Sequence, residues 1–197
     1  MPKVSDAHLA SRRDQILDAA IACFREQGFQ ATTMADIIEA SGLSAGALYR
    51  YFTGKQELAI AAAERVLAGR VANIAAAATA GPLSPAQIIR AIADGFADDG
   101  VPAGLVLQLW GEAVTDPAFH AVATRVFGEF GRVFARHLAD WAREARGCSE
   151  ADAAAWGRET LPVLLGLAQG FIVQSALLPG FDRDAYLVAV ERRFPVA

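Results

Sequence analysis

The chain has little of what builds metal centres, disulfide frameworks or sheets. Only two cysteines occur in its 197 residues, Cys23 and Cys148. They lack metal-ligand spacing and no secretory signal precedes them, so the expected compartment is a reducing cytoplasm. The three histidines do not cluster either. Glu112, Asp116 and His120 are spaced four apart, but Pro117 interrupts the helix that would align them, and neither a metal nor a cofactor is expected. Alternation of β-branched residues is nowhere sustained, which argues against strands. Positive charge is not in excess: 18 Lys and Arg stand against 22 Asp and Glu, a net charge of −4. Total charge therefore gives no support to a polyanion-binding protein.

What is present is alanine and helical periodicity. Apolar spacing near 3.6 in every long segment predicts an all-α fold of about nine helices. Two parts are expected, a three-helix domain at residues 1–54 and a larger helical domain at 55–197. The charge is unevenly spread. Residues 1–55 carry six bases and six acids, so the whole acidic excess lies further on. Local charge matters more than the total at a surface that meets phosphates. Residues 1–8 read as a loose arm, and helix one as about His8 to Gln27, stopped by Gly28. Cys23 falls on its stripe with Ile16, Ala20 and Phe24 and reads as a small core residue. A fourth helix is predicted from Lys55 to Ala78. A fifth opens at Ser84-Pro85 and fades at Asp98-Asp99-Gly100. The sixth covers Pro102 to Thr115.

Asp116-Pro117 opens a long helix ending near Gly147. Its stripe is Phe119, Val122, Val126, Phe130, Val133, His137 and Trp141. On its other side Arg125, Arg132, Arg136 and Arg143 alternate with Glu129 and Asp140, the pattern of a solvated, ion-paired face. A further helix runs from Ser149 to Leu178, bent near Pro162, and Asp182 caps the last.

Residues 32–58 carry the most information. Thr33 can cap a helix with Asp36 as its capping-box acid. Ser41-Gly42 makes a turn, because glycine accepts the left-handed backbone of a sharp helix exit. Ser44 caps a second helix of about two turns, too short to stand without neighbours. Met34, Ile37, Ile38, Leu43, Leu48 and Phe52 supply the apolar faces that pin it. Ser44, Ala45, Gly46, Tyr49 and Arg50 are left exposed, the layout of a helix-turn-helix that offers its second helix to the major groove of double-stranded DNA. The backbone amide ends near Thr33 and Lys55 also suit phosphate.

Ile16-Leu17-Asp18-Ala19-Ala20, Phe24, Gly28-Phe29, Thr32-Thr33, Ile37, Gly42-Leu43-Ser44, Leu48-Tyr49-Arg50-Tyr51-Phe52 and Lys55-Gln56-Glu57-Leu58 together resemble the DNA-binding domain of the tetracycline-repressor (TetR) family of bacterial transcriptional regulators. The resemblance covers residues 10–60; the rest matches only in length and helical character. It implies a repressor that binds an inverted-repeat operator as a homodimer and is released by a small, largely apolar effector. Tyr49 and Lys55 would contact phosphates, and Arg50 and Ser44 would read bases. Ala45 and Gly46 would approach closely, and Tyr51 completes the DNA-facing set. Many relatives carry a longer polar residue at the position of Ala45, so shape, water or thymine methyls would supply part of the specificity.

Other motifs compete. Gly42-Leu43-Ser44-Ala45-Gly46 matches the G-x-S-x-G elbow of a serine esterase, but a helix precedes it and neither His120 nor His137 has an evident paired acid. Thr160–Phe181 carries no charge and contains Gly166-Leu167-Ala168-Gln169-Gly170, a G-x-x-x-G pattern that mimics a membrane span. Gln169, Gln174, the bracketing Pro162 and Pro179 and the lack of an aromatic belt argue for a homodimer face and no membrane. Leu164, Leu167, Gly170, Phe171 and Gln174, with Tyr186 on the last helix, are the expected interface, and the resemblance implies a four-helix one. Most aromatics read as core. Trp110 with Gln108 and Glu112 is the first candidate for an effector pocket. Phe96, Phe127, Phe130 and Trp156 extend it.

Overall fold

Alanine and the straight-chain apolar residues favour helix over any alternative here, and the computed structural model, which describes residues 6–98 and 101–194, contains nine α-helices among those residues. They are α1 (Asp6–Ala31), α2 (Met34–Ser41), α3 (Ala45–Leu48), α4 (Lys55–Ala77), α5 (Pro85–Asp98), α6 (Ala103–Thr115), α7 (Pro117–Arg146), α8 (Glu150–Leu177) and α9 (Arg183–Arg193), with a 3₁₀ turn at Ala78–Ala80. The chain divides into two compact units, Met1–Val66 and Leu67–Ala197. The division falls inside α4. Most of the expected arm and the expected end of α5 at Asp99-Gly100 lie outside the described residues.

In the first unit the ladder of α1 is broken at Gly28, whose φ of 79° and ψ of 166° are not helical. Regular helix therefore ends before it, as the sequence suggested. Ile16, Ala20, Cys23 and Phe24 are all buried. Burial pushes the Cys23 thiol pKa up, as do the carboxylates of Asp36 and Glu26, so the thiol stays protonated and acts as a small apolar group.

The second unit is built on the packing of α7 against α8, with α6 lying on both. Phe134 and Leu138 of α7 meet Leu164, Phe171 and Ile172 of α8 in its core, joined by Ile88 and Ile89 of α5 and Leu187 and Val190 of α9. The buried face of α7 is broader than a single stripe. Phe119 and Trp141 are buried as expected, but so are Phe134, Leu138 and Ala142, while Val122, Val126, Phe130, Val133 and His137 are half-buried. A helix covered from two sides by α6 and α8 needs two adjoining apolar rows. Its outer row is solvated: Arg125, Glu129, Arg132, Arg136 and Arg143 are exposed, and Arg143 pairs with Asp140 at 3.6 Å.

Pro162 does not bracket the apolar segment; it lies inside α8, which runs through it from Glu150 to Leu177, close to the expected Ser149–Leu178. A proline here deprives the carbonyl four residues earlier of its donor, and that residue, Arg158, is exposed, so water can replace the lost bond. The helix is long and apolar enough to cross a bilayer by length and composition. In the fold Ala153, Gly157, Thr160, Leu164, Ala168, Phe171 and Ile172 are buried against neighbouring helices.

Helices α7 and α8 pack closely at Gly157. A Cβ there would stand 3.0 Å from the Ala135 carbonyl oxygen and 3.3 Å from the Ala139 nitrogen. Both are backbone atoms and cannot swing aside. Gly157→Val is expected to destabilise the fold by about 1–3 kcal/mol, read as a lower midpoint in thermal or urea unfolding.

Candidate nucleic-acid interface

The exit from α1 is set by a buried hydroxyl. Thr32 Oγ1 lies 2.8 Å from the Gly28 carbonyl oxygen and 3.2 Å from that of Cys23. Its neighbour Thr33 then caps α2. Thr33 Oγ1 accepts from the Asp36 amide at 3.2 Å, and the Thr33 amide and hydroxyl both donate to Asp36 Oδ2 at 2.8 Å. The helix ends at Gly42, whose φ of 66° and ψ of 15° place it in the left-handed region, with its N–H donating to the Glu39 carbonyl at 3.1 Å. A side chain there would strain the backbone, so the angle of the turn depends on glycine.

Ser44 Oγ accepts from the Ala47 amide at 3.3 Å and starts α3. That helix is only 4 residues long, shorter than the two turns expected, and it continues as turns that bring Tyr51 N to Leu48 O at 2.9 Å. Leu48 and Phe52 are buried at 0% and 1% exposure, whereas Tyr49 is 50% exposed. Ser44, Ala45, Gly46 and Arg50 are exposed too, and Tyr51 is half-buried. The expected DNA-facing residues therefore lie together on and around one short helix. A Cβ built on Gly46 meets nothing within 4 Å, so no packing within the chain demands glycine there. As for the esterase pattern, Ser44 sits between two helices and no strand occurs among the described residues. Its hydroxyl works as a helix cap, not as the tip of a strand-to-helix elbow.

At the start of α4, the Thr53 amide and hydroxyl donate to Glu57 Oε2 at 2.7 and 2.8 Å. Lys55 is placed differently from the expectation. Its Nζ donates to the carbonyls of Phe29 and Gln30 at 2.9 and 3.1 Å and stands 4.7 Å from the centre of the Phe29 ring. Elsewhere in this unit an open groove of about 780 Å³ is lined by Ala10, Asp14, Gln15, Asp18, Ala40 and Ser41. Its two carboxylates, with Asp18 paired to Arg65, make it a poor seat for phosphate.

Residues 16–62 match the model of the bacterial regulatory proteins, tetR family. The match is confined to the part of the first unit that holds α2 and α3, with the ends of α1 and α4 that flank them. Over 63 residues the chain is 48% identical to the HTH-type transcriptional repressor Rv1474c of Mycobacterium tuberculosis, a stretch that is 32% of this chain and 34% of that relative. The chain thus spans about a third of the length of such a relative. The fold is shared more widely. GusR of Salmonella enterica superposes with a TM-score of 0.69 at 21% identity, over 97% of this chain and 96% of that one. The multidrug binding protein EbrR complexed with imidazole gives 0.66 at 21%, over 95% and 92%.

In the second unit the expected pocket residues pair with different neighbours. Trp110 and Phe127 lie together, ring centres 6.0 Å apart, while Phe130 stacks on Phe134 at 5.4 Å and Phe96 meets Phe171 at 6.4 Å. Trp156 packs on Trp141 at 5.4 Å and under the Arg146 guanidinium. Gln108 is exposed and Glu112 half-buried. From that set Trp110 and Phe127 lie together, their rings tilted by 44°.

The expected dimer residues also divide. Leu164 and Phe171 are buried in the protomer's own core, so neither side chain can meet a partner. Tyr186 donates its hydroxyl to the Leu167 carbonyl at 2.7 Å, and burial raises its pKa. Gly170 accommodates that same tyrosine, whose oxygen would be 3.3 Å from an added Cβ, whereas Gly166 faces open space. Gln174 is half-buried. Large apolar residues that reach the surface on and just after α8 are Val163, Val173, Leu177 and Leu178, with Val188 on α9. Their spacing was visible in the sequence, but periodicity alone cannot tell which of two apolar faces turns outward.

Two carboxylates brace the reading helices. Bonds from the Thr33 amide and hydroxyl hold the Asp36 pKa below the ordinary carboxylate value, and those from Thr53, with the Arg13 charge adding, do the same for Glu57. A lowered folded-state pKa contributes stability that is complete above the unfolded value, about 4 for both groups. That stability is lost as pH falls through the lower folded-state value. Asp36→Asn should therefore lower the melting temperature at pH 6 to 7, with the gap to the parent narrowing towards pH 3, as followed by circular dichroism across that range.

Proposed function

We propose that this protein is a ligand-responsive transcriptional regulator, a repressor that binds an inverted-repeat operator as a homodimer and is released by a small molecule. The observation that carries this reading is α3, a single turn anchored by Leu48 and Phe52 that leaves Ser44, Ala45, Gly46, Tyr49 and Arg50 exposed side by side. Tyr49 reaches a phosphate and fixes the register. Arg50 and Ser44 read base edges. With no side chain at Gly46 and a methyl at Ala45, the helix backbone lies close to the groove floor, and shape and thymine methyls contribute to specificity.

The repressor Rv1474c supports the regulatory reading, and EbrR with its bound imidazole supports a small-molecule effector. In this chain an effector would enter the second unit near Trp110 and Phe127, whose paired rings suit a largely apolar ligand. Helix α4 runs through the division at Val66 and Leu67 and so belongs to both units. It is the natural carrier of the signal. The ligand must prefer the conformation that does not fit the operator by a few kcal/mol, since equal affinity for both shifts nothing.

Val163, Val173, Leu177, Leu178 and Val188 are large apolar side chains left at the surface, and a second copy of the chain would bury them. Dimerisation places two reading heads on one face, hence the inverted repeat with half-sites about one helical turn apart or further. Leu177→Arg should yield a monomer in sedimentation at micromolar concentration; an unchanged dimer would move the interface elsewhere.

DNA binding is tested on a duplex selected by the protein from a random pool. Tyr49→Ala should weaken binding to all duplexes alike and flatten the salt dependence, and Arg50→Ala should erode the preference for the selected sequence. Gly46→Leu should keep the parent's melting temperature, because its side chain meets open space, yet lose about tenfold or more in affinity, a cost of about 1.4 kcal/mol. Parent-like affinity in all three variants would remove α3 from the interface.

A further inference from the structure

We propose that Gln15 is a positioning residue of the reading head: from α1 its side-chain amide holds the last carbonyl of α2 and thereby fixes the turn through Gly42 that aims α3. This rests on the DNA-binding reading above and concerns a residue outside the expected DNA-facing set.

The turn is the point of conformational freedom. Gly42 stands at φ 66° and ψ 15°, and a Cβ built there meets nothing within 4 Å, so its place is not set by packing on that side. Glycine reaches this left-handed conformation and many others with little preference. Bonds on either side favour one of them. Ser41, 4% exposed, donates its hydroxyl to the Ile38 carbonyl at 2.9 Å, and the same oxygen accepts from the Leu43 amide at 3.3 Å. Those bonds are local to the turn. Gln15 adds one that is not: its Nε2 donates to the Ser41 carbonyl at 2.8 Å from 26 residues earlier in the chain. It refers the turn to α1, where Ile16 and Leu17, next after Gln15, are buried at 0% and 1% exposure.

The chemistry of an amide suits this place. Gln15 Oε1 accepts from Arg12 Nη1 at 2.8 Å, from the same face of α1. A guanidinium only donates and a carbonyl oxygen only accepts, so the amide between them has one orientation that satisfies both. Arg12 thereby points the Gln15 amide nitrogen at Ser41. A glutamate here would keep the arginine but set a carboxylate oxygen against the carbonyl, and a methionine would bond to neither. Gln15 and Ser41 border the open groove of the first unit, so water can satisfy the carbonyl when the amide is removed. Water would not tie it to α1. Beyond the turn Ser44, Ala45, Gly46, Tyr49 and Arg50 follow directly, and a change of angle at Gly42 moves all of them together.

The test compares full-length Gln15→Met, Gln15→Glu and Gln15→Lys with the parent. Each is titrated, well below its melting temperature, with the duplex that the parent selects from a random pool and with a random duplex. Amide resonances of Gly42 and Leu43 are followed without DNA. Gln15→Met and Gln15→Glu should each lose about fivefold of the preference for the selected duplex, the scale of one hydrogen bond, and both resonances should shift. Gln15→Lys keeps a donor within reach of Ser41 and should retain the parent's preference and resonances, although its added charge strengthens binding to both duplexes. Equal weakening on the two duplexes in Gln15→Met, the mark of a lost phosphate contact, would overturn the proposal. So would parent-like preference in Gln15→Glu, loss of preference in Gln15→Lys, or Gly42 and Leu43 resonances that stay in place in Gln15→Met. Failure of the parent to select any duplex would refute the DNA-binding reading instead, while the DNA-free resonances would still decide whether Gln15 fixes the turn.

Discussion

A helix of 4 residues has no stability of its own, since nucleation costs more than a single turn returns. Everything in the first unit is arranged to hold α3 regardless. Leu48 and Phe52 reach into the core beneath it, the Ser44 hydroxyl closes its start, and Gly42 fixes the angle at which it leaves α2. The reading surface is therefore rigid by borrowing. Apart from Ser44, which caps the helix, its outward residues Ala45, Gly46, Tyr49 and Arg50 are exposed and stand clear of the core.

The same division between an inward and an outward set explains α8. It is apolar nearly all round between Thr160 and Leu177, and a helix of that kind needs cover on more than one side. Its own chain covers Leu164, Ala168, Phe171 and Ile172. Gly157 lets α7 come within backbone contact on the same side. Val163, Val173 and Leu177 remain on the other. A composition that mimics a membrane span is, in this architecture, a helix with two sides to bury.

Polar side chains here hold backbone ends more than they hold each other. Thr32, Thr33, Ser44, Asp116, Ser149 and Asp182 all bond main-chain groups at helix boundaries. Ion pairs such as those of Arg90 with Glu191 and Arg183 with Asp94 join α5 to α9 at part-exposed positions, where each contributes at most about 1 kcal/mol. Lys55 belongs with the first group, a charged side chain acting on helix-end carbonyls.

Sequence alone determined what local chemistry decides. The caps at Thr33, Ser44, Asp116 and Asp182 and the left-handed exit at Gly42 could be read because each depends on a few neighbouring residues. So could the exposed set on α3, since Leu48 and Phe52 leave it only one side to present. What only the tertiary structure decided was which of two apolar faces turned inward and where a long side chain ended. Leu164 and Phe171 read as an interface and proved to be core, because a 3.6 repeat is the same for an own-chain and a partner neighbour. Pro162 was expected inside a helix from Ser149 to Leu178 and lies inside α8, where water at the exposed Arg158 can satisfy the carbonyl the ring deprives. That the Lys55 ammonium donates to Phe29 and Gln30 was not legible either, because helix-end carbonyls 25 residues away in sequence come within hydrogen-bonding reach only when α1 and α4 pack together.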